Sequence, residues 1–378
     1  MRCRYYARGA CYVIRVKTYR VVRSFAACAF AATLGAAACG DNRAVAIDAA
    51  PAADAAPDAA VDAAPDAGPD RLLDIYNDVD ADHLTLLVKS LGGVVPVTVG
   101  NETFSINERY SNEGKLKFRK YWTQYMTDLG LQVQALSYPS PENPAGGVNL
   151  EAVLPGSSAD SFVVIVHYDS IGPEGFETSN PGVDDDMTGM AIELETARLF
   201  VKHAAELNVT VRFVATDEEE LGGLRGARAY ASYIKQKSVS EGFALVAAVD
   251  NEQTGWNCRA DGTCSAEPTL QFDIFSCGSS NRTGTSFDYA ALGDAFAAIV
   301  AAYSPLHVSR GCLGENSDHF AMWEIGVPTL VFSEHLPFQN DHFDQLGGDT
   351  FDKIDMAYLV AIARPAITFQ ATLAGAKR

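Results

Sequence analysis

From about residue 145 onward, short apolar runs rich in β-branched residues alternate with stretches of helical period, and this alternation restricts the fold more than any other feature. Residues 147–154, 162–166, 209–215, 244–249, 270–276 and 329–333 read as strands. Between them, 187–203 places Met190, Ala191, Leu194, Ala197 and Val201 at helical spacing, and 224–237, 290–303 and about 353–373 also read as helices. Ahead of this alternation, 72–91 and 107–129 each read as one helix. Strands in turn with helices predict an α/β fold: a three-layer sandwich with a mixed, mostly parallel central sheet flanked by helices. Sheets of this kind take ligands at the carboxyl ends of their strands.

The first 39 residues have a different character. Basic residues from Arg2 to Arg23 precede an apolar run over 25–38, which ends in Ala36-Ala37-Ala38-Cys39. That is the layout of a signal peptide, and the run is short for a membrane span. A cysteine after small residues also resembles a lipoprotein processing site, with Cys39 as the lipidated residue. The expectation is an exported protein, either anchored to the outer membrane or secreted and periplasmic. Residues 40–70 are almost all Ala, Asp and Pro, which offers nothing large to bury and reads as a disordered tether. The folded catalytic domain is expected over 71–378. A net charge of −19 argues against nucleic acid and anionic membrane surfaces as partners, leaving a lipid on Cys39 as the one membrane contact. A monomer is expected. Outside the leader stand Cys258, Cys264, Cys277 and Cys312, an even number that suits disulfides in an oxidising compartment, with 258–264 and 277–312 the favoured pairs. A structural zinc site is the rival, but no Cys-x-x-Cys pair occurs.

Metal-ligand residue types follow strand after strand. The run 162–166 leads into His167-Tyr168-Asp169, 209–215 into Asp217-Glu218-Glu219-Glu220, and 244–249 into Asp250-Asn251-Glu252. Asp184-Asp185-Asp186 and Ser317-Asp318-His319 each precede a helix. Taken singly, each group has a plain explanation: a surface hydrogen bond, a helix cap or a solvated acidic face. Taken together on one sheet edge, the carboxylates would repel, since two like charges 4 Å apart cost about 4 kcal/mol at an effective dielectric of 20. A divalent cation turns that repulsion into attraction, and histidine with carboxylate ligands suits zinc.

These residues resemble the two-zinc aminopeptidases of peptidase family M28, over roughly residues 145–360. His167-Tyr168-Asp169 matches the family's His-x-Asp element, and Pro181 to Gly189 matches its Pro-Gly-x-(Asn/Asp)-Asp-x-x-(Ser/Thr)-Gly element. Glu219 and Glu220, followed by a Gly-rich turn, match its paired glutamates. Ser317-Asp318-His319 with Trp323 and Gly326-Val327-Pro328 matches its Ser-Asp-His element. The resemblance implies two zinc ions per chain, with Asp185 bridging them. His167 and Glu252, or alternatively Asp250, would complete one site; Glu220 and His319 would complete the other. Glu219 would be the general base, with Glu218 and Glu219 as the alternative pair, and Asp169 would orient His167. It further implies a cis peptide at Asp185-Asp186 and hydrolysis of peptides with a free N-terminus through a metal-bridged hydroxide. The alternatives are a one-zinc acyltransferase of the glutaminyl-cyclase type, another activity of the clan such as a carboxypeptidase, and a non-catalytic binding protein. Gln345 stands where the family often has a histidine, four residues before Asp349-Thr350. His307, His335 and His342 are expected to be structural or rim residues, while Tyr168 and Trp256 suit either the substrate pocket or ordinary packing.

Overall fold

Alternate residues of the central strands bury on opposite faces, and this sorts the core into two layers on either side of one sheet. In β5 (Ser158–His167), Phe162, Val164 and Val166 join one cluster and Val163 and Ile165 the other. The computed structural model describes residues 70–376, apart from 142, 173–179, 205–206, 259–270, 276–288, 312–315, 335–341 and 343–347. The chain divides into two units, Met1–Ala63 and Ala64–Arg378, and all described residues belong to the second. The expected signal peptide, the lipid on Cys39 and nearly all of the Ala/Asp/Pro tether therefore lie outside the described residues.

Eight strands form the main sheet. In chain order they are β3 (Gln132–Tyr138), β4 (Gly147–Leu154), β5, β6 (Val209–Thr216), β7 (Leu245–Asn251), β8 (Gln271–Phe275), β9 (His307–Gly311) and β10 (Thr329–Glu334). Their order across the sheet is β3-β4-β6-β5-β7-β10-β8-β9. The four central strands β6, β5, β7 and β10 run parallel, whereas β3–β4, β4–β6 and β8–β10 pair antiparallel. The mixed, three-layer α/β sandwich expected from the sequence is the observed one. A separate hairpin of β1 (Val97–Val99) and β2 (Glu102–Phe104) precedes the sheet.

One layer holds α1 (Arg71–Asp78), α2 (Ala81–Leu91), α3 (Asn112–Asp128), α4 (Gly189–Lys202), α6 (Ala290–Tyr303) and α8 (Met356–Leu373). The other holds α5 (Arg225–Glu241) and α7 (His319–Glu324), packed on Val163, Ile165, Val214 and Ala248. α8 is long and apolar enough to cross a membrane, but most of it is buried in the core, which accounts for its composition. Because β6 and β7 flank β5, the connections leaving β5 and β6 diverge, and a crevice opens beyond the carboxyl ends of these strands.

Three helical expectations change. The segment 72–91 forms two helices, because the Asp80 carboxylate accepts the N–H groups of Asp82 and His83 and starts a second helix there. The segment 107–129 becomes helical only at Asn112. Glu108 accepts the N–H groups of Tyr110 and Ser111, making a turn, and the Ser111 hydroxyl then caps Gly114 N–H at 3.0 Å. The closing helix begins at Met356 under an Asp355 cap rather than at 353.

One buried acid ties α3 to α4. Glu193 is fully buried and accepts Trp122 Nε1–H at 3.0 Å, and burial pushes its carboxyl up to about 8. The unfolded chain releases this proton near 4.5, so between roughly 4.5 and 8 the folded state holds one proton more. Stability then falls as pH rises, by about 1.4 kcal/mol per unit at most. Glu193→Gln is expected to match the parent protein near pH 5 and to unfold at a higher temperature near pH 8. Parallel melting curves that stay parallel across that range would contradict this.

Candidate metal centre

His167 is the last residue of β5, so its buried side chain stands at the carboxyl end of the parallel strands. Asp185 reaches it from the irregular turn over Val183–Thr188 ahead of α4, in which Asp185 and Asp186 have non-helical backbone angles and are joined by a cis peptide. Glu252 reaches it from the residue after β7. The ligand atoms of these three residues all lie within 4.8 Å of one another. His167 Nε2 is 3.0 Å from Asp185 Oδ1 and 3.8 Å from Glu252 Oε2. All three side chains are buried, and neither His167 Nε2 nor Asp185 Oδ1 has a hydrogen-bond partner.

Neighbours hold each ligand in place. Gln253 Nε2 donates to Asp185 Oδ2 at 2.8 Å, and Ser317 Oγ donates to Glu252 Oε2 at 2.7 Å. The Asp349 carboxylate accepts the backbone N–H groups of Asp184 and Asp185 at 2.7 and 2.9 Å. Asp186 does cap the following helix, accepting Gly189 N–H at 3.0 Å, and also accepts Gln253 N–H. Asp184 accepts Gly255 N–H and lies 3.3 Å from His342 Nε2. The three consecutive aspartates thus have three separate tasks, and Asp185 is the one directed at His167.

Asp169 stands beside both His167 and the turn after β6. Its carbonyl oxygen lies 3.2 Å from His167 Nδ1, and its carboxylate 3.7 Å away. The same carboxylate accepts the N–H groups of Glu219 and Glu220 at 3.1 and 3.2 Å, so it shapes the turn that carries both glutamates. Behind it, Lys115 forms a buried 2.6 Å ion pair with Asp217. Glu218 is wholly buried at φ 63°, whereas Glu219 and Glu220 are half-buried.

The residues expected at the second half of the site stand beside the group of His167, Asp185 and Glu252 rather than within it. His319 and Glu220 do not belong to the three-residue group. His319 gives its backbone N–H to Asp250 Oδ2 at 2.9 Å, and its Nδ1 lies 3.2 Å from the same oxygen. The cause lies in strand alternation: Asp250 shares its face of β7 with Ala248, the face on which α7 packs. Each residue of Ser317-Asp318-His319 also meets a strand end. Ser317 holds Glu252, Asp318 accepts the Thr216 hydroxyl, and His319 holds Asp250. Between the two alternatives for the ligand after β7, Glu252 joins the group and Asp250 does not.

Burial and mutual repulsion dominate the electrostatics. Burial, with Asp185 and Asp250 nearby, pushes the Glu252 carboxyl up to about 7 against the opposing pull of His167. Burial likewise holds Asp186 and Glu219 well above the ordinary carboxylate value, and the surrounding acids add to the shift. Burial alone would lower the His167 imidazole, but the carboxylates of Asp169, Asp185 and Glu252 raise it well above the usual histidine value. A site that keeps protons this tightly is short of positive charge.

Tyr168 is fully buried, stacked on Phe118 with centroids 4.6 Å apart, and its hydroxyl donates to Val148 O, so it is a packing residue. Trp256 is half-buried beside His342, ring centroids 4.5 Å apart, at the rim of the site. His307 lies on β9, away from the parallel strand ends, while His335 and Gln345 lie outside the described residues. Cys258 is disulfide-bonded, and Cys264, Cys277 and Cys312 lie outside the described residues. Sequence reasoning missed Gln253, Ser317 as a brace, Lys115 and Arg109. A buried amide or cation with no motif around it leaves no local signal.

Fold and site together define an α/β sandwich with a buried imidazole–carboxylate centre at the ends of its parallel strands. The family model described as Peptidase family M28 matches residues 149–370, more than half of the chain, and the chain belongs to that family. A protein of Pyrenophora teres f. teres named a probable zinc metalloprotease is 22% identical over 275 residues, covering 66% of this chain and 56% of its own length. A probable leucine aminopeptidase of Trichophyton verrucosum is 25% identical over 232 residues, covering 60% of this chain and 56% of its own. The chain therefore spans a little over half the length of these curated relatives. Among solved structures, the LapA aminopeptidase of Legionella pneumophila superposes with a TM-score of 0.61 at 15% identity, over 82% of this chain and 75% of that one. A glutaminyl cyclase of Macrostomum lignano superposes with a TM-score of 0.60 at 18% identity, over 84% and 96%. At such identities the likeness is one of fold.

Proposed function

We propose that this protein is an exported zinc-dependent exopeptidase that removes N-terminal residues from peptides, with two zinc ions in its working form. The observation that carries the reading is the convergence of His167, Asp185 and Glu252, from three separate elements, on one buried point. The residues fit a metal: one imidazole and two carboxylates are a zinc donor set, and two of the facing atoms are buried without a hydrogen-bond partner. When bound, zinc supplies Lewis-acid polarisation of the scissile carbonyl and a more acidic water. His167, Asp185 and Glu252 would hold the first ion, and Glu220 would help to hold the second.

The remaining chemistry belongs to the chain. Glu219 stands on the turn clamped by Asp169, and a carboxyl raised above its ordinary value is suited to taking a proton from water and passing it to the leaving amine. The acidic rim attracts the protonated α-amino group of a peptide and so favours a free N-terminus. Support for export comes from the basic and apolar leader ending at Cys39.

Two observations favour a second reading, a one-zinc acyltransferase of the glutaminyl-cyclase type. Among the described residues a single three-ligand group is found, and solved glutaminyl cyclases superpose about as well as aminopeptidases do. Elemental analysis of the purified protein, coupled to a panel of aminoacyl chromogenic substrates and N-terminal Gln peptides, separates the two. Two zinc ions with release of N-terminal residues is the expected result. One zinc with cyclised Gln and no release would replace the peptidase reading.

A further inference from the structure

We propose that Arg109 is a positioning residue of the metal centre: its buried guanidinium holds three backbone carbonyls at once and thereby sets the separation of His167 and Asp185. The inference rests on the reading of His167, Asp185 and Glu252 as a metal site. Arg109 lies ahead of residue 149, where the family match begins, in the turn before α3.

Its side chain is fully buried. Nε donates to Tyr168 O at 2.6 Å, Nη2 to Gly182 O at 2.8 Å, and Nη1 to Pro181 O. Tyr168 directly follows His167, and Gly182 lies in the turn that leads to Asp185. One planar group therefore joins the two backbone segments that carry facing ligands. Ser170 repeats the link: its hydroxyl accepts Arg109 N–H at 3.0 Å and donates to Asn180 O at 3.1 Å. Across the turn, Asp349 holds the N–H groups of Asp184 and Asp185, so the carbonyls of this turn are held by a cation and its amides by an anion.

Gly182 makes the close approach workable. It sits at φ 54°, and a Cβ there would fall 2.7 Å from Arg109 Nη2 and 2.8 Å from Ser170 Cβ. Burial lowers the guanidinium to about 10, and Asp349, Asp169, Glu220 and Asp185 counter that cost, so the group keeps its charge. Only a fork of fixed donors reaches three carbonyls in different directions. A lysine ammonium is a point charge on a flexible stem and does not reproduce that geometry.

The test compares the full-length protein with Arg109→Lys, which keeps the charge and loses the fork. Metal-stripped samples are titrated with Zn2+ against a chromophoric chelator, and the visible spectrum of the Co2+-loaded forms is recorded. The expected result is a zinc dissociation constant raised by about 10–100-fold and an altered cobalt spectrum, with unchanged far-ultraviolet circular dichroism. A folded Arg109→Lys protein with the affinity and cobalt spectrum of the parent would overturn the inference while leaving the metal reading intact. A parent protein that binds no zinc would overturn both. If Arg109→Lys does not fold, Ser170→Ala decides, because it removes the lesser of the two links. A several-fold weaker zinc affinity supports the inference, and an unchanged affinity overturns it.

Discussion

Glu219→Gln is expected to lower kcat on a peptide substrate by about 10²–10⁴-fold with zinc content unchanged, the range over which a positioned acid–base group acts. The amide keeps the shape of the side chain and can still hydrogen-bond, but it cannot accept and return a proton. Its backbone N–H stays on Asp169, so the turn keeps its form. Glu219 is also absent from the three-residue ligand group, so the change removes no ligand from it. The measurement is kcat beside zinc per chain on the same sample. Loss of zinc together with activity would make Glu219 a ligand, and full activity would remove it from the mechanism. Glu218→Gln is the matched control: Glu218 is wholly buried at a left-handed φ, so its cost should appear in stability before it appears in kcat.

Asp185→Ala is expected to abolish turnover and to weaken zinc binding by more than about 100-fold, beyond the effect of losing a supporting hydrogen bond. Asp185 presents one oxygen to His167 and keeps the other on Gln253, so no rotation of a neighbour replaces it. The loss also shows in stability. A ligand bound only by the folded state stabilises it by about 4 kcal/mol at roughly 1,000 times its dissociation constant. The parent protein should therefore melt several degrees lower after chelation, and the Asp185→Ala protein should melt at one temperature with or without zinc. The metal-free variant should be no less stable than the metal-free parent, because removing one carboxylate relieves repulsion from Glu252 and Asp186. Equal zinc-dependent shifts in parent and variant would count against Asp185 as a ligand.

The fold was legible wherever one residue's environment depends on its near neighbours. The unbroken apolar run of 162–166 marked a strand buried on both faces, and helical spacing in 187–203 marked a helix packed on the sheet. Both survive with their ends moved by a few residues. Helix starts were less legible. Whether Asp80 interrupts 72–91 depends on its carboxylate finding two N–H groups, which the pattern of apolar residues does not encode. The edge strand β3 was missed because its residues are half exposed, which blurs the period.

For the site, the sequence by itself determined which residues stand at the ends of the parallel strands. A strand that must bury both faces stays apolar until it leaves the sheet, so the first polar residues after it lie in the crevice. That put His167 and the acidic runs 217–220 and 250–252 at strand ends, while Asp185, Glu219 and Glu252 were singled out within their runs by the family resemblance. Only the tertiary structure decided which of the remaining candidates meet. Asp250 and Glu252 lie only two residues apart, yet Asp250 is held by His319 of α7 and Glu252 joins His167 and Asp185. Arg109 and Asp349 enter for the same reason. Their partners are backbone carbonyls and amides, which every residue carries, so no side-chain pattern announces a group whose task is to hold the chain itself.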